Sequence, residues 1–373
     1  MILKRSTLFL LVVFFIFLAI VFIEQSKTAP ELLSQGVLYE EGVRIDPTKE
    51  GKFPHSPELL NPSGFINTDG KEIKLSDFRG KVVLVDFWTY SCINCIRTIP
   101  HLSAWHDTYS DKGLVIVGIH TPEFSFEKEY DNVQAAVTKY GIKYPVVLDN
   151  DYTNWGLFRN RYWPRKYLID VDGYIRYDHI GEGAYDQTEK KIQDLLSEAG
   201  LLRKDMPVSS LEDQTPRVPM TPELYAGYEF ALSRGQHLGN AEDFQKDVVH
   251  DYVFPADVPG AKILLDGSWQ AKPESLRSAD ANASLRVTVT ASSVFAVLSP
   301  SYGVDSVEMD VLVNGKYLSS ESAGEDIFFD GERSYVLVDE PRLYRLREGS
   351  YGWYTLTLDP KDAGLELSAF TFG

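Results

Sequence analysis

The sequence predicts an α/β fold, a mixed sheet with helices on both faces, followed by an all-β, jelly-roll-like sandwich and preceded by one N-terminal transmembrane helix. Three observations carry this. Between residues 60 and 200, apolar strands alternate with helical stretches. Beyond residue 220, short period-two strands follow one another with little helix. At the N-terminus, Lys4 and Arg5 precede Leu8 to Ile23, a run without charged residues. With 373 residues, 44% of them hydrophobic and 13% aromatic, the chain can fill two cores.

The apolar run spans roughly 24 Å as a helix, somewhat short of a bilayer core of about 30 Å. It is long for a signal-peptide core, and no A-x-A-like cleavage site follows, so it reads as an uncleaved anchor. A cleaved signal peptide is the alternative. In both cases the positive residues ahead of the run place everything after residue 24 outside the cytoplasm. The formal net charge of −17 and the lack of a basic patch argue against a nucleic-acid partner. The expected division is an anchor over residues 1–24 and a linker over 25–57 (Pro30, Pro47, Pro54, Pro57). An α/β domain over 58–200, a linker over 201–219 and a β-sandwich over 220–373 complete it.

In chain order, Phe65-Ile66-Asn67 and Glu72–Leu75 flank Thr68-Asp69-Gly70-Lys71, which predicts a hairpin. Lys81–Trp88 reads as a strand buried on both faces, and about Cys92–Tyr109 as a helix. A strand Leu114–Ile119, a helix over Glu127–Tyr140 and a strand Tyr144–Leu148 follow, with a short helix near Thr153–Phe158. The strands Lys166–Asp170 and Tyr174–Ile180 flank the turn Val171-Asp172-Gly173, and a helix Asp186–Ala199 closes the unit. In the second region Val287–Thr290, Val307–Val311 and Tyr354–Leu358 alternate, and Asn314-Gly315 predicts a two-residue hairpin turn.

The chain has two cysteines, and both sit in Cys92-Ile93-Asn94-Cys95, at the junction of a buried strand and a helix. The positive end of a helix dipole favours a thiolate, and the second thiol, one turn on, can attack a mixed disulfide formed by the first. Half a zinc site looks the same, but a second pair is missing, so neither metal nor organic cofactor is expected. Asp86 lies six residues before Cys92 in an apolar strand. A buried carboxylate there would hold its proton and exchange it with Cys95; satisfaction by backbone donors is the alternative. Pro100 either kinks the helix or ends it. Trp88 is either a ring beside the thiols or core packing. Trp163-Pro164 precedes a strand, where a cis proline facing the thiols would leave the neighbouring backbone open to an extended peptide.

With these offsets, residues 60–200 resemble the thioredoxin superfamily through Val83–Trp88, the Cys pair and Pro100. The insertion between Ile119 and Leu148 is similar to the TlpA/ResA branch of membrane-tethered thiol reductases. Trp88-Thr89-Tyr90-Ser91-Cys92-Ile93-Asn94-Cys95 and Tyr162-Trp163-Pro164 with Tyr167–Asp170 resemble the DipZ-like group. That resemblance implies thiol–disulfide exchange with protein substrates, with Cys92 and Cys95 as the redox pair, Asp86 as proton carrier and Trp163 and Pro164 at the substrate groove. It also implies a carbohydrate-binding-module-like domain over 220–373, hence a carbohydrate partner, and a role in cytochrome c maturation or envelope redox balance. DipZ-like proteins carry a multi-span electron-transferring domain; this chain has at most one span, so a separate membrane donor is expected. Ser91 and Ile93-Asn94 depart from the usual thioredoxin residues, which leaves the direction of electron flow open.

Two rivals remain. Thr89-Tyr90-Ser91-Cys92 matches the T-x-x-C of peroxiredoxins, although Val85 stands where that motif has proline. Two thiolates with His101, His106 or His120 could hold Cu(I), His120 being best placed. Glu123 is either an acid near the thiols or a loop carboxylate without that role, and Trp269, Trp353 and the tyrosines of the C-terminal region either stack on sugar rings or are core and scattered surface residues.

Overall fold

The computed structural model describes residues 48–203, 206–257 and 260–373. The expected anchor and most of the first linker lie outside the described residues. Among those described, no helix is long and apolar enough to cross a membrane.

The first part is built on β1 (Gly64–Ile66), β2 (Val82–Trp88), β3 (Leu114–His120), β4 (Val146–Leu148), β5 (Arg165–Ile169) and β6 (Ile175–Ile180). They form a six-stranded sheet among the described residues, in the order β1-β4-β3-β2-β5-β6. β2, β3 and β4 run parallel; β1, β5 and β6 join antiparallel, so the sheet is mixed. All seven residues of β2 are buried, as its unbroken apolar run requires for a central strand.

Helices α1 (Ile93–Tyr109), α2 (Tyr130–Lys139), α3 (Thr153–Leu157) and α4 (Tyr185–Glu198) complete this part. On one face Leu84 and Trp88 of β2 pack with Ile99, Leu102 and Trp105 of α1, Val133 and Val137 of α2, and Ile192 and Leu196 of α4. On the other, Val83, Val85 and Phe87 pack with Leu75, Phe158 and Tyr167. α1 continues through Pro100 to Tyr109, so the proline does not end it; the buried stripe Ile99, Leu102, Trp105 and Tyr109 anchors the helix beyond it.

The hairpin expected over residues 65–75 does not form. β1 pairs with β4 instead, Ile66 opposite Val146. Leu75–Phe78 is a 3-10 turn whose amides go to carboxylates: Leu75 N and Ser76 N donate to Glu58, at 2.5 and 2.9 Å. A carboxylate acceptor thus takes the place of a strand partner. The helix expected over 127–140 is split into a 3-10 turn, Ser125–Lys128, and α2, because the Glu127 side chain turns inward.

The C-terminal part is a large all-β domain, thirteen hydrogen-bonded strands among the described residues. Strand Ile263–Ala271 belongs to both halves. Ile263–Asp266 pairs with Ser284–Val287, whereas Gly267–Gln270 pairs with Val249–Tyr252. The corner falls at Gly267 (φ +74), where a Cβ would lie 2.6 Å from the Asn282 carbonyl oxygen, so only glycine fits. Asn314-Gly315 makes the expected turn, both residues at positive φ between Val313 and Lys316. Trp269 is fully buried and cannot stack on a sugar, whereas Trp353 is 65% exposed.

Candidate active site

Cys92 caps α1. Its extended backbone (φ −83°, ψ 114°) turns the chain from the end of β2 into the helix, and its Sγ accepts from the amide of Cys95 at 3.4 Å. That N–H and the helix terminus stabilise a negative sulfur. Both thiols are free. Cys92 is half-buried and Cys95 only 1% exposed. Burial, then hydrogen bonding to Cys92, push the Cys95 thiol well above its ordinary value.

The Trp163-Pro164 peptide is cis, and the Trp163 carbonyl oxygen lies 4.0 Å from Cys92 Sγ. Trp163 is held by its Nε1, which donates to the Thr121 carbonyl at 3.0 Å, and by Trp155, ring centroids 4.2 Å apart. Trp88 is fully buried core, its edge toward His120.

Asp86 is buried in β2, and its Oδ1 has no hydrogen-bond partner. Burial lifts its pKa from 3.8 to about 7, against the pull of Lys166. That cation was missed in the sequence. Lys166 lies directly opposite Asp86 across the β2–β5 pairing and is 1% exposed. Its Nζ donates to the Gly181 carbonyl at 3.1 Å. Burial pushes the ammonium down while Asp86 and Cys95 draw it up. Asp86, Lys166 and Cys95 therefore form one electrostatic unit beneath the half-buried thiol.

Glu127 was missed too. Its Oε1 accepts from Ser91 N (3.2 Å) and Ser91 Oγ (2.6 Å), and Oε2 from Glu123 N (2.6 Å) and Phe124 N (3.0 Å). This fully buried carboxylate ties the residue before Cys92 to the 121–124 loop. The expected neighbour, Glu123, turns away to the C-terminal domain. Its Oε1 accepts from Tyr225 Oη at 2.6 Å, and burial lifts its pKa to about 8.

The histidines do not gather at the sulfurs. His120 Nε2 lies 3.4 Å from Thr89 Oγ1 between Trp88 and Tyr90, and burial lowers its pKa to about 3. His101 stacks on Tyr185, and His106 meets the ring of Tyr144. Among the described residues no three His, Cys, Asp or Glu side chains are grouped to hold a metal ion. Thr89, the threonine of the T-x-x-C, is buried against His120.

Comparisons with known proteins meet this geometry. Residues 55–178 match the AhpC/TSA family model and residues 221–373 the model described as thioredoxin like C-terminal domain. The thiol-disulfide oxidoreductase ResA of Bacillus thuringiensis is 32% identical over 127 residues, covering 34% of this chain and 70% of ResA. The chain belongs to the ResA-like thiol–disulfide oxidoreductases. Protein DipZ of Mycobacterium bovis is 40% identical over 287 residues, 74% of this chain and 41% of DipZ. The chain thus spans about two fifths of the DipZ proteins it matches. A solved thiol-disulfide isomerase of Corynebacterium glutamicum is 22% identical, with TM-score 0.35, over 38% of this chain and 97% of its own.

Proposed function

We propose that Cys92 and Cys95 of this oxidoreductase exchange electrons with protein thiols and disulfides on the extracytoplasmic side of a membrane. Acting as a reductant, Cys92 thiolate attacks one sulfur of a substrate disulfide, forming a mixed disulfide and releasing the other sulfur as a thiolate. Cys95, losing its proton to Asp86, then attacks Cys92 Sγ. The mixed disulfide breaks, the substrate leaves with two more electrons, and Cys92–Cys95 is oxidised. Run backwards, the same steps oxidise a dithiol. The observation that carries this reading is the asymmetry of the pair: one reachable sulfur facing helix amides, one buried sulfur above a carboxylate that changes charge near neutrality.

Trp163 and Pro164 border the substrate. Pro164 offers no N–H to compete for the Cys92 sulfur, and the Trp163 backbone beside it would pair with an extended peptide. No metal or organic cofactor enters these steps. The anchor over residues 1–24, a separate membrane electron donor and a carbohydrate ligand on the jelly-roll-like 220–373 domain belong to this reading. So do cytochrome c maturation or envelope redox balance as the setting. The exposed ring of Trp353 is the remaining sugar-stacking candidate.

The test is a trap. In Cys95→Ala the mixed disulfide cannot resolve, so a covalent substrate adduct through Cys92 accumulates in cells making it. Absence of any such adduct overturns the scheme. The AhpC/TSA match favours a peroxidase as second reading. Rapid peroxide consumption that needs Cys92 would establish that reading.

A further inference from the structure

Ile93, between the two cysteines, is 2% exposed, and the cluster that buries it is the core of the C-terminal domain. Phe124 belongs to the same cluster, and Ile96 and Phe126 pack against it. Four further contacts seat this domain on the redox loop. Tyr90 Oη donates to the Pro341 carbonyl at 3.2 Å. Ser125 N donates to Glu274 Oε2 at 2.8 Å, and the Arg97 guanidinium lies 5.6 Å from the Phe295 ring centroid. Tyr225 Oη meets Glu123 at 2.6 Å and Glu223 at 2.9 Å. One phenol hydrogen cannot serve two carboxylates, so one carboxyl of the pair keeps its proton and donates. Beside Arg234, whose Nη2 is 4.0 Å from Glu123, the cluster is then close to neutral despite its burial.

Contacts thus link Tyr225 to the Glu123 carboxyl, the Glu123 backbone amide to Glu127, and Glu127 to Ser91, next to Cys92. The Trp163 flank differs. Trp163 is held by Thr121 and Trp155 from the first part of the chain, and Tyr162 beside it is 49% exposed.

We propose that the C-terminal domain is a fixed wall of the redox site that sets substrate specificity: it shields the Ile93 flank, so that Cys92 is reached from the Trp163–Pro164 side by an extended cysteine-bearing segment, not by a disulfide on the convex surface of a folded protein. Aromatic rings border that approach, so apolar residues beside the substrate cysteine are favoured. The inference rests on the thiol-exchange reading above and assigns its substrate class.

The experiment uses the reduced full chain with native ribonuclease A and with the same protein unfolded and carrying scrambled disulfides. Each rate of disulfide reduction is divided by the rate with dithiothreitol, which removes intrinsic reactivity. The wall predicts a normalised preference for the unfolded form of about tenfold. Phe124→Asp and Tyr225→Phe, which loosen the seating without touching the thiols, reduce that preference by about fivefold. A wild-type preference equal to that of dithiothreitol overturns the wall and leaves the exchange reading standing. So does a preference unchanged in Tyr225→Phe, a near-isosteric variant. Exchange with neither form overturns the exchange reading, and the wall with it.

Discussion

Cys92 and Cys95 are separated by burial, and alkylation reads that separation directly. Iodoacetamide modifies Cys92 and spares Cys95 in the reduced native protein; equal labelling of both would contradict the site. On the proposed scheme Asp86 sets the pH dependence. Its pKa of about 7 makes it a base only above neutrality, so resolution by Cys95 rises with pH through about 7. Asp86→Asn removes that limb and slows resolution by about 100-fold. Lys166→Met moves the limb to higher pH, because the ammonium that draws the carboxyl down is gone. Stopped-flow mixed-disulfide decay checks both.

Stability runs the opposite way with pH. A carboxyl raised from 3.8 to about 7 favours the fold fully below about pH 4, and that advantage is lost as pH rises through about 7. Asp86→Asn therefore gains on the parent at pH 8, by at most about 4 kcal/mol, less the attraction Lys166 forfeits. Urea unfolding at pH 5 and pH 8 measures the difference. Cys92, Cys95 and Asp86 were legible from spacing and from a lone acid in an apolar strand. Lys166 was not, since one of two adjacent cations, Arg165 and Lys166, acquires meaning only once register puts it opposite Asp86.

At the scale of elements, the loop before α1 depends on Glu127. Glu127→Ala strips an acceptor from the amides of Ser91, Glu123 and Phe124, lowering stability by about 2–3 kcal/mol and with it the melting temperature. An unchanged melting temperature would refute this bracing role. On β3, a Cβ at Gly118 would lie 3.0 Å from Trp88 Nε1 and 3.3 Å from the Tyr144 ring. Gly118→Ala is expected to destabilise by about 1–3 kcal/mol, since neither ring can swing away in the core. An unbroken apolar run made β2 readable, and helical periodicity made α1 and α4 so. The false hairpin shows the limit: period two identifies a strand and cannot name its partner, and Glu58, far upstream, claims the amides of Leu75 and Ser76. Glu127 was hidden in the same way, as the opening residue of an apparent helix.

Across the whole molecule, the change of character beyond residue 220 is plain in the sequence, but the seating of the second part on the first is not. Whether Ile93 is a surface residue or core depends on side chains from the far end of the chain. Because Ile93 and Phe124 complete the C-terminal core, the two parts are expected to unfold together. Calorimetry should give one transition; two well-separated ones would show that the shared core contributes little.

Equilibrating the full chain across glutathione buffers of graded potential, then quenching with acid and counting free thiols by mass, examines the paired sulfurs most directly. The account predicts that both thiols vanish in a single two-electron step and that the recovered peptide carries a Cys92–Cys95 bond. Two independent one-thiol steps, each ending in a glutathione adduct, would contradict it.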